Sequence, residues 1–153
     1  MNSKTVTIEA PEGFKIDAFD KATGKVTFAP IPKAAIERIK NFNDVLEDQG
    51  ISTDAFADMC NGLTPDEIAY KQLKLIALAL NEGWQPDWTN GNWDKYYAWF
   101  TMGGSSGSGF AFIGADYWNS LSYAGSRLCF KTRELAVYAG ETFTDIYKQF
   151  LTL

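Results

Sequence analysis

A small α+β domain is the fold this sequence predicts, and three observations predict it. Short alternating apolar runs stand near the N-terminus and again between residues 96 and 131. Helical periodicity fills 65–82 and 133–150. A chain of 153 residues gives one core, so a single domain over 1–153 is expected. The expected architecture is one small antiparallel sheet, made of an N-terminal hairpin and strands within 96–131, packed against the two longer helices.

The N-terminal segment, 4–31, reads as strands. Val6 and Ile8 alternate with polar residues in Lys4–Glu9, and Pro11-Glu-Gly13 signals a turn. Phe14, Ile16 and Ala18 alternate again, Asp20–Gly24 is a loop, and Val26–Phe28 returns. Pro30 and Pro32 end the hairpin, because proline donates nothing to a ladder.

Residues 33–83 read as helical. Asn41 caps a short helix through Glu47, with Gly50 as its stop, and a second short helix covers Asp54–Cys60. The strongest helix follows. Thr64 is its N-cap, Pro65 takes the first position, and Asp66 and Glu67 favour the positive end of the dipole. Glu67 stands three residues after Thr64, the capping-box spacing. Ala69, Leu73, Ile76 and Leu80 form its apolar stripe, widened by Leu75 and Leu78, and Gly83 stops it.

Composition changes at Trp84. The stretch 84–131 holds all five Trp and seven of the 13 Gly. Tyr96–Phe100 and Phe110–Ile113 read as strands, with Tyr117-Trp118 in or beside a third and Arg127–Lys131 as the last. The run Gly103–Gly109 lacks the terminal Gly-Lys-Ser/Thr and the following helix of a phosphate loop, so it is a connection. A C-terminal helix spans 132–151, capped by Thr132, with Leu135, Ala139, Phe143, Ile146 and Phe150 on one face. Gly140 inside it marks either a close approach to the sheet or a break into two helices.

Several chemistries are excluded. There is no His, which removes His-based triads and His zinc sites, and two separated Cys do not close a zinc site. Cys60 and Cys129 read as small buried hydrophobes. No metal or cofactor is expected. The net charge of −5 disfavours nucleic acid as a partner. The N-terminus has no apolar signal core and no apolar run approaches membrane-spanning length, so a cytoplasmic or virion-associated protein that is not secreted by a signal peptide is expected.

Candidate binding residues come from the aromatic segment. Trp88, Trp93 and Tyr123 sit in loops among Asn, Gly and Ser, the mixture of rigid anchors and adaptable polar groups found in binding loops. Asp94, Trp118 and Arg127 complete the set. Trp99, Phe100, Phe110, Phe112 and Phe130 lie on strand patterns and are expected in the core. Asp87, Asp94 and Asp116 could pair as glycosidase carboxylates, although Asp is equally a turn residue. Arg127, Lys131 and Arg133 make a small basic cluster, read as a solvated edge.

The strings Leu80–Trp84, Pro86–Trp88, Tyr96-Tyr97 with Trp99-Phe100, Gly107–Phe110, Gly125–Lys131, Arg133–Ala136 and Tyr138–Gly140, together with Ile8–Gly13, resemble a group of short proteins from Bacteroides-type gut bacteria and their phages and integrated elements. That resemblance implies a phage or mobile-element setting and carries over no catalytic residue. Tyr117-Trp-Asn-Ser120 is similar to a string near the final strand of C-type-lectin-like domains, which end in a strand rather than a helix. The expected function is therefore non-enzymatic: binding of a macromolecular partner, a protein before a carbohydrate, through an aromatic, loop-rich surface. Three alternatives stay open: a lectin-like carbohydrate or receptor binder, a small hydrolase using the Asp carboxylates, and a single-strand nucleic-acid binder that stacks bases on aromatics.

Overall fold

The computed structural model describes residues 5–103, 109–121 and 127–152 and has the α+β composition expected. Its contacts cluster into two compact units, Met1–Ala34 and Ala35–Leu153.

The first unit is a hairpin. β1 (Phe14–Asp20) pairs antiparallel with β2 (Lys25–Pro30), from Phe14 opposite Pro30 to Asp20 opposite Lys25, with a bulge between Ile16 and Ala18. Asp20 builds the turn: its carboxylate accepts from the Ala22 N–H at 2.8 Å and from the Thr23 hydroxyl. Those two bonds, the Thr23 hydroxyl first, hold Asp20 below the usual carboxylate range. Thr5–Glu9 forms no strand, contrary to the alternation of Val6 and Ile8. Among the described residues there are two sheets: β1 and β2 pair with each other and not with the later strands, so the single sheet expected from the sequence is not formed.

The second unit opens with α1 (Ala35–Arg38), α2 (Phe42–Asp48) and α3 (Thr53–Met59). The four-residue α1 has no clear periodicity and escaped the sequence reading. Asn41 caps α2 as expected, accepting from the Asn43 and Asp44 N–H groups, while Asp44 reaches back to the Asn41 N–H at 3.1 Å. α4 (Pro65–Asn81) starts where Thr64 places it, with the Glu67 carboxylate accepting from the Thr64 N–H at 2.8 Å. It ends in the left-handed residues Glu82 and Gly83. Ala69, Leu73, Ile76 and Leu80 are all buried, as their spacing predicts.

β3 (Lys95–Thr101) pairs antiparallel with β4 (Ala111–Trp118). β4 is one continuous strand, so Phe112 and Tyr117 belong to a single element. The register shifts after Trp99, where Trp99 faces Gly114 and Phe100 faces Phe112, leaving Ile113 as a bulge. The Arg127–Lys131 strand is reduced to one bridge, in which Phe130 and Tyr96 exchange both backbone bonds at 2.9 and 3.0 Å. Leu128, Cys129 and Phe130 are buried consecutively, so the alternation read there does not apply.

The C-terminal helix is two helices, α5 (Arg133–Thr142) and α6 (Thr144–Thr152), which part at Phe143. α5 lies on β3 and β4, and α6 runs along α4, where Tyr70 stacks on Phe150 at 5.5 Å. Gly140 is the point of closest approach. A Cβ there would stand 2.3 Å from the Phe112 ring and 3.1 Å from Ala98 Cβ. The core joins α4, α5 and one face of the β3–β4 sheet, with Phe100 packed on Phe110 at 4.9 Å and on Tyr147 at 4.7 Å. Burial raises the Tyr147 phenol far above its ordinary value. Trp99, expected in this core, is 45% exposed: it follows Lys95 and Tyr97 on the strand's other face, beyond the part that neighbouring chain covers.

Candidate functional site

The segment between α4 and β3, residues 82–94, contains no helix or strand and is shaped by side-chain turns. The Asp87 carboxylate accepts from the Thr89 hydroxyl at 2.7 Å and from its N–H at 2.9 Å. Those bonds, the hydroxyl first, keep Asp87 below the usual carboxylate range. Asn90 repeats the device on the Asn92 N–H at 2.9 Å.

Lys95 then fastens this loop. Its side chain is completely buried, and its ammonium donates to the carbonyls of Asn90 at 3.0 Å, Trp93 at 2.8 Å and Asn119 at 2.6 Å. Three donors meet three acceptors, so the cation is fully satisfied without a carboxylate. The Trp88 ring lies 5.3 Å from the same nitrogen and adds a cation–π contact. One residue at the start of β3 thus holds the loop before it and the end of β4 together. Lysine is ordinarily a surface residue, and no local pattern marks this one.

Asn81 makes the second unexpected joint. At the end of α4, nearly buried, it donates to the Cys129 carbonyl at 2.9 Å and accepts from the Lys131 N–H at 3.0 Å. The side chain satisfies the backbone of Cys129 and Lys131 on the edge opposite the one where Phe130 pairs with Tyr96. Burial pushes the neighbouring Cys129 thiol up to about 11; Cys129 is buried as expected, Cys60 only partly, and no disulfide joins them.

Between α4 and the fastened loop lies an open cleft of about 500 Å³. Trp84, Pro86 and Trp88 form one wall, Lys71, Lys74 and Leu78 the other, and Arg127 stands at the rim. Leu78, which the helical pattern assigns to the core stripe, is half exposed and faces this space. At about 100° per residue, Lys71, Lys74, Leu75 and Leu78 share the side of α4 opposite Ala69, Leu73, Ile76 and Leu80. That second stripe was present in the sequence as a signal and was not recognised as a separate face.

Of the six residues picked out by sequence, the structure brings Trp88 and Arg127 together at the cleft. Trp93 is 44% exposed and stacks on Trp84 at 6.5 Å, but it does not itself line the cleft. Asp94 is engaged internally, accepting from the Asn119 amide at 2.8 Å and the Tyr96 hydroxyl at 3.1 Å. Burial and that carboxylate raise the Tyr96 phenol above its ordinary value. Trp118 lies elsewhere, lining an apolar depression of about 240 Å³ with Trp99, Met102 and Leu151. Tyr123 falls outside the described residues.

The carboxylates weighed for catalysis have local work. Asp87 and Asp94 are bonded as above, and Asp116 accepts from the Tyr117 N–H at 2.8 Å. The basic cluster is dispersed: Arg133 donates to the Ala115 carbonyl, Lys131 is exposed and Arg127 is at the cleft. Among the described residues, no three Cys, Asp or Glu side chains gather to hold a metal, and no helix is long and apolar enough to cross a membrane. No protein-family model matches this chain, and no curated protein or solved structure is significantly similar to it.

Proposed function

We propose that this chain is a non-catalytic binding protein that takes a segment of a partner protein into the cleft between α4 and the 82–94 loop. The resemblance noted over most of the chain supports a partner from a phage or mobile-element context, a virion, assembly or host factor. The observation that carries the reading is the convergence of Trp84, Trp88, Arg127 and the half-exposed Leu78 on one open cleft of about 500 Å³. Recognition pockets have this size, and Trp and Arg are the side chains that most often dominate binding energy. The cleft wall is held in advance by Lys95 and the Asp87 and Asn90 turns, so little ordering cost falls on association. The three Asp carboxylates spend their hydrogen bonds on turns and on Asn119, which supports binding over hydrolysis.

The test is affinity for a partner recovered by pull-down from host or infected-cell lysate. Trp88→Ala and Arg127→Ala should each weaken it by about 2 kcal/mol, roughly thirtyfold, with the circular dichroism spectrum unchanged. Trp99→Ala, outside the cleft, should bind as the parent does. Parental affinity in both cleft variants would sink the proposal.

A further inference from the structure

We infer that the cleft selects a carboxylate-bearing peptide, one or two Asp or Glu side chains next to a large apolar side chain, an inference that rests on the binding reading above. The cleft's charge is the reason. Lys71, Lys74 and Arg127 line it, and among the described residues no Asp or Glu does. In a chain with 19 acidic and 14 basic residues, a surface cation has more carboxylates than cations to meet. Yet the ion pairs among the described residues are those of Arg38, with Asp48 and Glu82, and none reaches the three cleft cations. Lys74 is instead steadied over the Tyr70 ring at 5.0 Å, which orients the ammonium without neutralising it.

The lining also sets what the anion must be attached to. Trp84, Trp88, Pro86 and Leu78 offer aromatic and aliphatic surface, which a bare anion would leave in water. An aromatic or leucine side chain covers that surface while a neighbouring carboxylate meets the cations. Arg127 offers a planar fork suited to a carboxylate, and the two lysines, three residues apart on one helix face, offer point charges.

A nucleic-acid strand fits less well. Concentrating three cations in the cleft leaves the rest of the surface more acidic than the whole, and a polyanion longer than the cleft must cross it. A short acidic segment ends within the favourable field, which salt screens beyond about 8 Å.

The experiment is selection from a random octapeptide library displayed on messenger RNA, against the intact chain and against the Lys71→Gln, Lys74→Gln, Arg127→Gln triple variant. Arg127 is exposed and Lys71 and Lys74 are partly exposed, and circular dichroism checks the variant's fold. The intact chain should enrich peptides with Asp or Glu within two residues of Trp, Phe or Leu, and the triple variant should not. A synthetic copy of an enriched peptide should lose about tenfold or more in affinity when its Glu is changed to Gln, and should weaken as salt rises. Enrichment without acidic residues, or the same peptides on the triple variant, would overturn the anion preference while leaving the cleft as a binding site, provided Trp88→Ala still abolishes capture. Octathymidylate binding more tightly than the selected peptides would overturn it in favour of nucleic acid. Failure to enrich any peptide, with no oligonucleotide bound, would overturn this inference and the binding reading together.

Discussion

The two sheets among the described residues are both antiparallel pairs of similar length, and their first strands, β1 and β3, are opposite in burial. All seven residues of β1 are exposed, Phe14, Ile16 and Phe19 among them. In β3, Lys95, Tyr97 and Phe100 are buried. β1 alternates apolar with polar residues, whereas β3 is a near-continuous aromatic run, so a clear alternation reports backbone geometry and is silent on what covers the apolar face. A two-stranded ribbon has little stability of its own in water; it gains it from a helix or further strands packed on one face. β3 and β4 have α5 on one face, brought close by Gly140, and the Lys95 joint on the other.

The largest expected effect tests that joint. Lys95→Met fills the same space but leaves the Asn90, Trp93 and Asn119 carbonyls without their donor, and should lower stability by about 3–5 kcal/mol in denaturant unfolding. A loss under about 1 kcal/mol would mean that the loop is held by other contacts. Next is the helix–sheet approach. Gly140→Ala gains helix propensity but drives a methyl into the Phe112 ring, for a net cost of about 1–3 kcal/mol. Gly140→Ala combined with Phe112→Ala should cost less than the sum of the two single changes, a coupling that additivity would contradict. The smallest effects belong to exposed aromatics. Phe19→Ala in β1 should stay within about 0.5 kcal/mol of the parent, and Trp99→Ala under about 1 kcal/mol, where its strand pattern alone suggested unfolding.

What was legible follows from the range of the interactions involved. α2 and α4 could be read because their caps, Asn41 and Thr64, act on backbone groups two or three residues away. The Leu73 and Ile76 stripe could be read because burial on a helix repeats with the helix. Gly140 was legible as a question, and the answer is close approach, with the helix break three residues later at Phe143. Lys95 and Asn81 were illegible, since their partners lie as far as Asn119 and Lys131 in sequence and neither residue type is ordinarily buried. The cleft was half legible. Trp88 and Arg127 were picked out by residue type, whereas Lys71, Lys74 and Leu78 were hidden because a helix with one core stripe invites assigning every leucine to it.

Native-state amide hydrogen exchange tests the contrast between the two sheets most directly. If packing rather than pattern separates them, the hydrogen-bonded amides of β3 and β4 should exchange only through openings close in free energy to global unfolding. Those of β1 and β2 should exchange through openings of about 2 kcal/mol or less. Equal protection in the two sheets would contradict the account and place the hairpin in the same cooperative unit as the core.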